Sequence, residues 1–253
     1  MAAGDVVTDI TSLNTEGGAK FDGISNNIDT NFLFPLDFDK EWTISTRFKI
    51  PTSSNTGIIW STNGAGGING IQLRISIASR IVLFHATAGG TAYSSSNNAY
   101  SPDKWQQIEI VYDKIEFKIY INKVFYATAP LVRNWNSTNN INLGSNWDAS
   151  TPLAGIISQV KIWNKALNIT ELTAFYQNEL ERTALIGEYI LYPDYEDTSG
   201  KGNNATNTGS IIGLFDDNLE AEIEAARTTA NDIYMLTETA SKQIISTVIE
   251  EAP

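Results

Sequence analysis

From Trp42 to Ile50 the chain alternates without a break, Trp42, Ile44, Thr46, Phe48 and Ile50 against Thr43, Ser45, Arg47 and Lys49. A period of two sends the two sets to opposite faces of an extended strand, so this segment predicts a strand with one buried face. The pattern returns at Ile108, Ile110 and Tyr112, and again at Ile115, Phe117, Ile119 and Ile121. Residues Ile156 to Trp163 are rich in β-branched and aromatic types and predict a further strand. Stretches rich in Gly, Asn and Ser at 61–70, 88–98 and 133–150 fall between these runs and read as loops at the ends of a sandwich. Strands of this kind close as an antiparallel jelly roll. Trp42, Trp105 and Trp163 sit in strand patterns and are expected in the core, whereas Trp60 fits either setting.

After the last strand, Asn164 breaks the pattern, and Leu167, Leu172, Phe175 and Tyr176 supply the buried stripe of one short helix capped near Asn168. The segment from Leu143 through Gly144-Ser145-Asn146-Trp147 to this helix resembles the closing segment of laminin-G-like domains, the concanavalin A-like jelly rolls. Gly18-Ala19-Lys20-Phe21-Asp22-Gly23 with Asn26-Asn27-Ile28 resembles their opening strand, and Trp42 to Phe48 the strand after it. Lys104 to Asp113 and Phe117 to Lys123 resemble their central hairpin, with Lys123 where glycine usually follows the Asn. The resemblance runs over about residues 18 to 176 and implies a scaffold that mostly binds glycans or proteins; it does not specify the ligand.

At 253 residues the chain accommodates one large sandwich and an appendage. The boundary is expected at 213, with a jelly-roll domain over 1–213 and a long α-helix over 214–253. Leu219, Ile223, Ala226, Ala230, Ile233, Thr237, Ala240, Ile244 and Thr247 recur at alternating steps of four and three, one seam of a helix. Asp216, Asp217 and Asn218 precede it as cap and dipole partners. Such a seam predicts a parallel coiled coil joining two or three copies; the alternative is a helix folded back on the sandwich or docked on another partner. Net charge is −12, and nine acids against two bases from Leu214 onward place most of the excess in this tail. An acidic chain of this kind is not expected to bind nucleic acid or anionic lipid.

Cysteine is absent, which excludes a disulfide scaffold and cysteine-ligated zinc. Met1-Ala2-Ala3-Gly4-Asp5 shows no signal peptide, and no run is long and apolar enough for a membrane helix. Assembly in a cytoplasm, combined with a fold that usually works outside cells, suggests a bacteriophage virion protein made in the host cytoplasm and displayed after lysis. A cytoplasmic bacterial protein, or one exported without a signal peptide, is the plainer alternative.

Glu188 to Tyr192 and Asp194 to Thr206 form a motif that precedes the opening strand in the family but here follows the closing helix. Residues 187–213 thus read as a permuted strand and loop, as the start of a truncated second repeat, or as a connection. In relatives, the resemblance implies, this loop often holds calcium, and the matching positions here are Asp197, Asn203 and the carbonyl of Lys201, with Asp22 and Asn26 as further candidates. Calcium takes six to eight oxygens and glycines let carbonyls turn inward; the same Asx and Gly residues also make a turn with no ion.

For a ligand, Trp135 and Trp147 in Asn-rich loops, with Tyr93 and Tyr100 around Ser94 to Asn98, offer rings on which a sugar can stack beside amides. A loop tryptophan can equally fold inward over a sandwich edge. His85 is the only histidine and lies in a strand-like run, so a triad or multi-histidine metal site has little to draw on. The paired carboxylates of jelly-roll glycosidases, spaced Glu-x-Asp-x-x-Glu on a strand, do not occur in any strand-patterned run. The expected function is that of a non-enzymatic virion fibre or appendage protein whose head binds a surface glycan and whose helix makes a homo-oligomer among other virion proteins. An architectural capsid or connector protein and a jelly-roll glycan hydrolase are the alternatives.

Overall fold

Two antiparallel sheets stacked face to face account for nearly all of the computed structural model, which describes residues 16–33, 39–52, 56–62, 70–76, 78–85, 90–130, 139–146, 148–180 and 182–215. The first sheet runs in space β10 (Val124–Pro130), β9 (Glu116–Ile121), β8 (Trp105–Tyr112), β3 (Trp42–Lys49), β12 (Ala154–Trp163), β1 (Glu16–Asp22) and β15 (Ile211–Phe215), with β13 (Leu185–Ile190) also paired to β12. The second runs β14 (Thr206–Thr208), β2 (Asn27–Leu33), β11 (Asn140–Leu143), β4 (Gly57–Ser61), β5 (Ile71–Ser76), β6 (Arg80–His85) and β7 (Gly90–Ser94). This is the all-β jelly-roll sandwich, with one short helix, α1 (Ile169–Tyr176), among the described residues. Residues Gly17–Leu214 form one unit by themselves. Leu214 and Phe215 belong to strand β15, and the remainder of the expected C-terminal helix, 216–253, lies outside the described residues.

The core lies between the sheets. Trp42 of β3 meets Trp60 of β4 edge to face at 6.4 Å, and also packs on Tyr112 of β8 and Phe117 of β9. Aromatic pairs of this kind contribute about 0.5–1.5 kcal/mol each beyond the area they bury. Trp42, Ile44, Phe48, Ile108, Ile110, Phe117 and Ile119 are all fully buried here, as their period-two spacing predicts. The opposite face of β3 is not wet, however. Thr43 and Ser45 are buried because the segment around α1 lies over them: Thr43 Oγ1 donates to the Lys165 carbonyl and accepts from the Leu167 N–H. Val111, Tyr120, Trp163, Leu167, Leu172, Phe175 and Leu185 make a second apolar cluster there. The helix starts at Asn168, whose side chain accepts from Glu171 N–H while Glu171 Oε2 accepts from Asn168 N–H, a reciprocal cap.

Two expected core residues are placed otherwise. Ile115 is exposed, because Asp113 Oδ1 accepts from the N–H groups of Ile115 and Glu116 and makes a turn before the strand begins at Glu116. Trp105 pairs with Lys49 on the outer face of the first sheet, half-buried with the Arg47 guanidinium 5.7 Å above its ring. At the next hairpin both Asn122 (φ 51°) and Lys123 (φ 70°) are left-handed, so the turn keeps the geometry for which glycine is usual.

Gly144 is a position that requires glycine. Its φ is +79°, and a Cβ there would stand 2.1 Å from Cδ1 of Phe21, inside the core. Gly200 has φ +84° but nothing within 4 Å. Gly200→Ala is therefore expected to lose only the left-handed strain, about 1–2 kcal/mol, and Gly144→Ala that plus about 1–3 kcal/mol of overpacking. Denaturant midpoints of the two variants check this; equal losses would refute the packing account.

Candidate functional site

The Asp197 loop is held by its own backbone. Asp197 Oδ1 accepts from the N–H groups of Glu188 (3.1 Å) and Ser199 (2.9 Å), and Oδ2 from the N–H (3.1 Å) and Nδ2 (3.4 Å) of Asn203. Burial alone raises the carboxyl pKa, but the hydrogen bonds from Ser199, Asn203 and Glu188 outweigh it and hold the group below the usual carboxylate range. With four N–H donors on its lone pairs, Asp197 has no oxygen site left for a calcium ion in this geometry, so the donor set does not fit one. Asp22 likewise accepts from Ile24, Ser25 and Asn26 N–H through Oδ1. Asn26 lies beside Gly209, past the end of β14, whereas Asn204 lies before its start, so the two candidate sets sit at opposite ends of that strand and are not brought together. Lys201 N–H donates to Ser199 Oγ, a further bond inside the turn.

The four candidate aromatics divide differently. Tyr100 is a core residue: it is 5% exposed, packs edge to face on Phe48 at 6.0 Å, and burial pushes its phenol pKa up. Its ring is therefore not presented to a ligand. Tyr93 belongs to β7, paired with Leu83, and its side chain, like Trp135 and Trp147, lies outside the described residues.

The second sheet carries a polar outer face that no single motif announces. Along β5, Ile71, Leu73 and Ile75 enter the core, which turns Gln72 and Arg74 outward; along β11, Ile141 and Leu143 do the same for Asn140 and Asn142. Strand pairing sets Asn142 against Ser61 and Ser61 against Gln72. Asn146 then joins them, its Oδ1 accepting from Ser61 Oγ (2.8 Å) and Gln72 Nε2 (3.1 Å). Gln72 is only 2% exposed, and its Oε1 has no hydrogen-bond partner among the described residues. A buried acceptor left unpaired costs about 1–3 kcal/mol, and such groups in native proteins call for an explanation. Arg74 adds a cation at one side, donating to Thr151 Oγ1, and Asp29 and Asn140 continue the polar row at the other. The only trace of this face in the sequence is the alternation Ile71-Gln72-Leu73-Arg74-Ile75.

On the first sheet, the buried acid Glu109 is closed off from solvent. It accepts from Ser45 Oγ (3.0 Å), Gln107 Nε2 (2.6 Å) and Tyr176 OH (2.8 Å), and burial, only partly offset by these bonds, raises its pKa. A carboxyl with a raised folded pKa contributes stability that is complete below its unfolded value and is lost as pH rises through the folded value. The stability of wild type relative to Glu109→Gln should therefore fall as pH rises above the ordinary value near 4.5. Paired denaturation curves across pH 3–8 check this; a constant difference would show that Glu109 is not perturbed.

The comparisons with known proteins bear on the same fold. A family model described as the concanavalin A-like lectin/glucanases superfamily matches residues 22–173. A crystal structure from Bacteroides ovatus, described as a carbohydrate-binding protein, aligns with a TM-score of 0.56 at 18% identity over 81% of this chain, which spans 61% of that one. The SAP-like pentraxin of Limulus polyphemus aligns with a TM-score of 0.54 at 14% identity, over 79% of this chain and 95% of its own. The CBM40 module of the Ruminococcus gnavus IT-sialidase, solved with α2,3-sialyllactose, aligns at 0.51 and 16% identity, over 64% of this chain and 97% of its own. No curated protein matches the chain. With the two-sheet architecture and a family match over more than half its length, the chain belongs to the concanavalin A-like lectin/glucanase superfamily.

Proposed function

We propose that this chain binds a glycan without turning it over, through the polar outer face of its second sheet. The observation that carries the reading is the polar row of that face, in which buried Ser61 and Gln72 hold the part-exposed Asn146, with Arg74, Asn140 and Asp29 part-exposed around it. Sugar hydroxyls donate and accept at once, so they suit amides, which do the same. Two aligned structures, the Bacteroides ovatus protein and the CBM40 module, are named for carbohydrate binding, which supports the same reading. Absence of turnover is supported by Glu109, the fully buried acid of the first sheet, being enclosed by three donors under Tyr176.

The module's setting, in this reading, is a bacteriophage virion appendage assembled in the host cytoplasm, with residues 214–253 joining two or three copies and other virion proteins as partners. The cysteine-free composition and the heptad-spaced seam support it.

Glycan-array binding of wild type, Asn146→Ala and Asn140→Ala is the test. Each variant is expected to weaken binding about 10-fold, the worth of one hydrogen bond of ~1.4 kcal/mol. Folded variants that bind as wild type does, or a wild type that binds no glycan, would refute the site. Removing residues 214–253 is expected to reduce the mass in light scattering from a dimer or trimer to a monomer; an unchanged mass would refute the oligomerising helix.

A further inference from the structure

On the outer face of the first sheet, away from the polar row of the second, lies a cleft of about 200 Å³ lined by Lys161, Trp163, Phe175, Arg182, Leu185 and Glu188, with Asn178 and Leu180 at its margin. Its floor follows from strand register. Lys161 of β12 pairs with Glu188 of β13, and Trp163 with Leu185 across a bulge that turns both partners of β13 to the same side. Phe175 of α1 forms the wall, edge to face on Trp163 at 5.0 Å. Glu188, 4% exposed in its side chain, is the only acid among the described lining residues, and two cations converge on it: Lys161 Nζ at 3.1 Å from Oε1 and Arg182 Nη2 at 2.5 Å from Oε2. Thr198 Oγ1 donates to Oε2 as well.

Among the described residues the cleft therefore carries a net single positive charge inside a chain of net −12. Lys161 Nζ, with three N–H donors, has one acceptor among them, and another close neighbour is the Phe175 ring at 5.4 Å. Arg182 uses Nη2 on Glu188 and the Thr198 carbonyl, leaving its remaining N–H groups without an acceptor among the described residues. Charged donors with N–H groups to spare beside an aromatic wall fit an anion with an apolar face. A volume of this size lies below the roughly 300 Å³ at which drug-sized pockets begin, and suits a group the size of one sugar ring. We propose that this cleft is a second, separate binding site, taking the carboxylate of a single acidic sugar unit between Lys161 and Arg182. It does not depend on the polar face of the second sheet.

The test is an amide-shift NMR titration of the full chain with sodium glucuronate, and with glucose and sodium acetate at matched ionic strength. Saturable shifts at Lys161, Trp163, Arg182 and Glu188 are expected with glucuronate, at least 5-fold weaker in Arg182→Gln or Lys161→Gln and unchanged in Gln72→Ala. Because Arg182 is more than half exposed, its variant is expected to fold, and Lys161→Gln gives a second readout. No shifts in the cleft, an equal response to glucose or to acetate, affinity unchanged in both cleft variants, or binding lost in Gln72→Ala would each overturn the proposal, the first leaving Lys161, Glu188 and Arg182 as a structural network only.

Discussion

Strand β12 holds the sandwich together because both of its edges are fully paired. One edge runs along β3 from Ile156 to Trp163, and the other meets β1 through Ala154–Ile157 and then β13 through Gln159–Trp163. The two shorter strands abut so closely that a Cβ on Gly17 would stand 2.3 Å from the Tyr192 side chain. A slip of one residue in β12 would turn Val160 and Ile162 out of the core and break the register with three strands at once. The same register sets Lys161 against Ser45 and Ser45 against Glu109, so the polar groups of the outer face are positioned by the pairing that fills the inner one.

The strands were legible in the sequence wherever alternation and burial coincide, as at Trp42 to Phe48 and Ile108 to Tyr112. The helix cap near Asn168 was legible in the sequence because its hydrogen bonds are local. Ile115 misled because apolar character says nothing of the Asp113 turn that claims its N–H. Tyr100 misled because a Ser- and Asn-rich neighbourhood hides a contact with Phe48, far from it in sequence. The polar face was invisible for a deeper reason: Ser61, Gln72, Asn142 and Asn146 come from three strands and a loop, and only hydrogen-bonded pairing makes them neighbours. Lys161, Arg182 and Glu188 are scattered in the same way, and nothing local distinguishes them from ordinary surface charges.

The chain's acidity is unevenly felt. Screening at physiological salt confines exposed charges to about 8 Å, so the groups beside each surface decide what binds there. What decides it there is local: an amide row with Arg74 at its edge on one sheet, and two cations around one carboxylate on the other. The two surfaces belong to different sheets and share no side chain.

Late residues complete early strands. Asn31 of β2 donates to the Asn204 carbonyl and to Thr206 Oγ1, partners up to 175 positions further along, and Tyr189 OH donates between the Thr30 and Asn203 carbonyls. During synthesis, β2 therefore waits for one of its two neighbours until almost the whole sandwich has been translated. Long sequence separations make for slow closure, because loop entropy is lost before the contacts that compensate it can form. A nascent chain carries β2 with neither neighbour until Asn140–Leu143 is made and with only one from there to Thr206, and a truncation between Leu143 and Thr206 leaves that strand open to pairing with another chain.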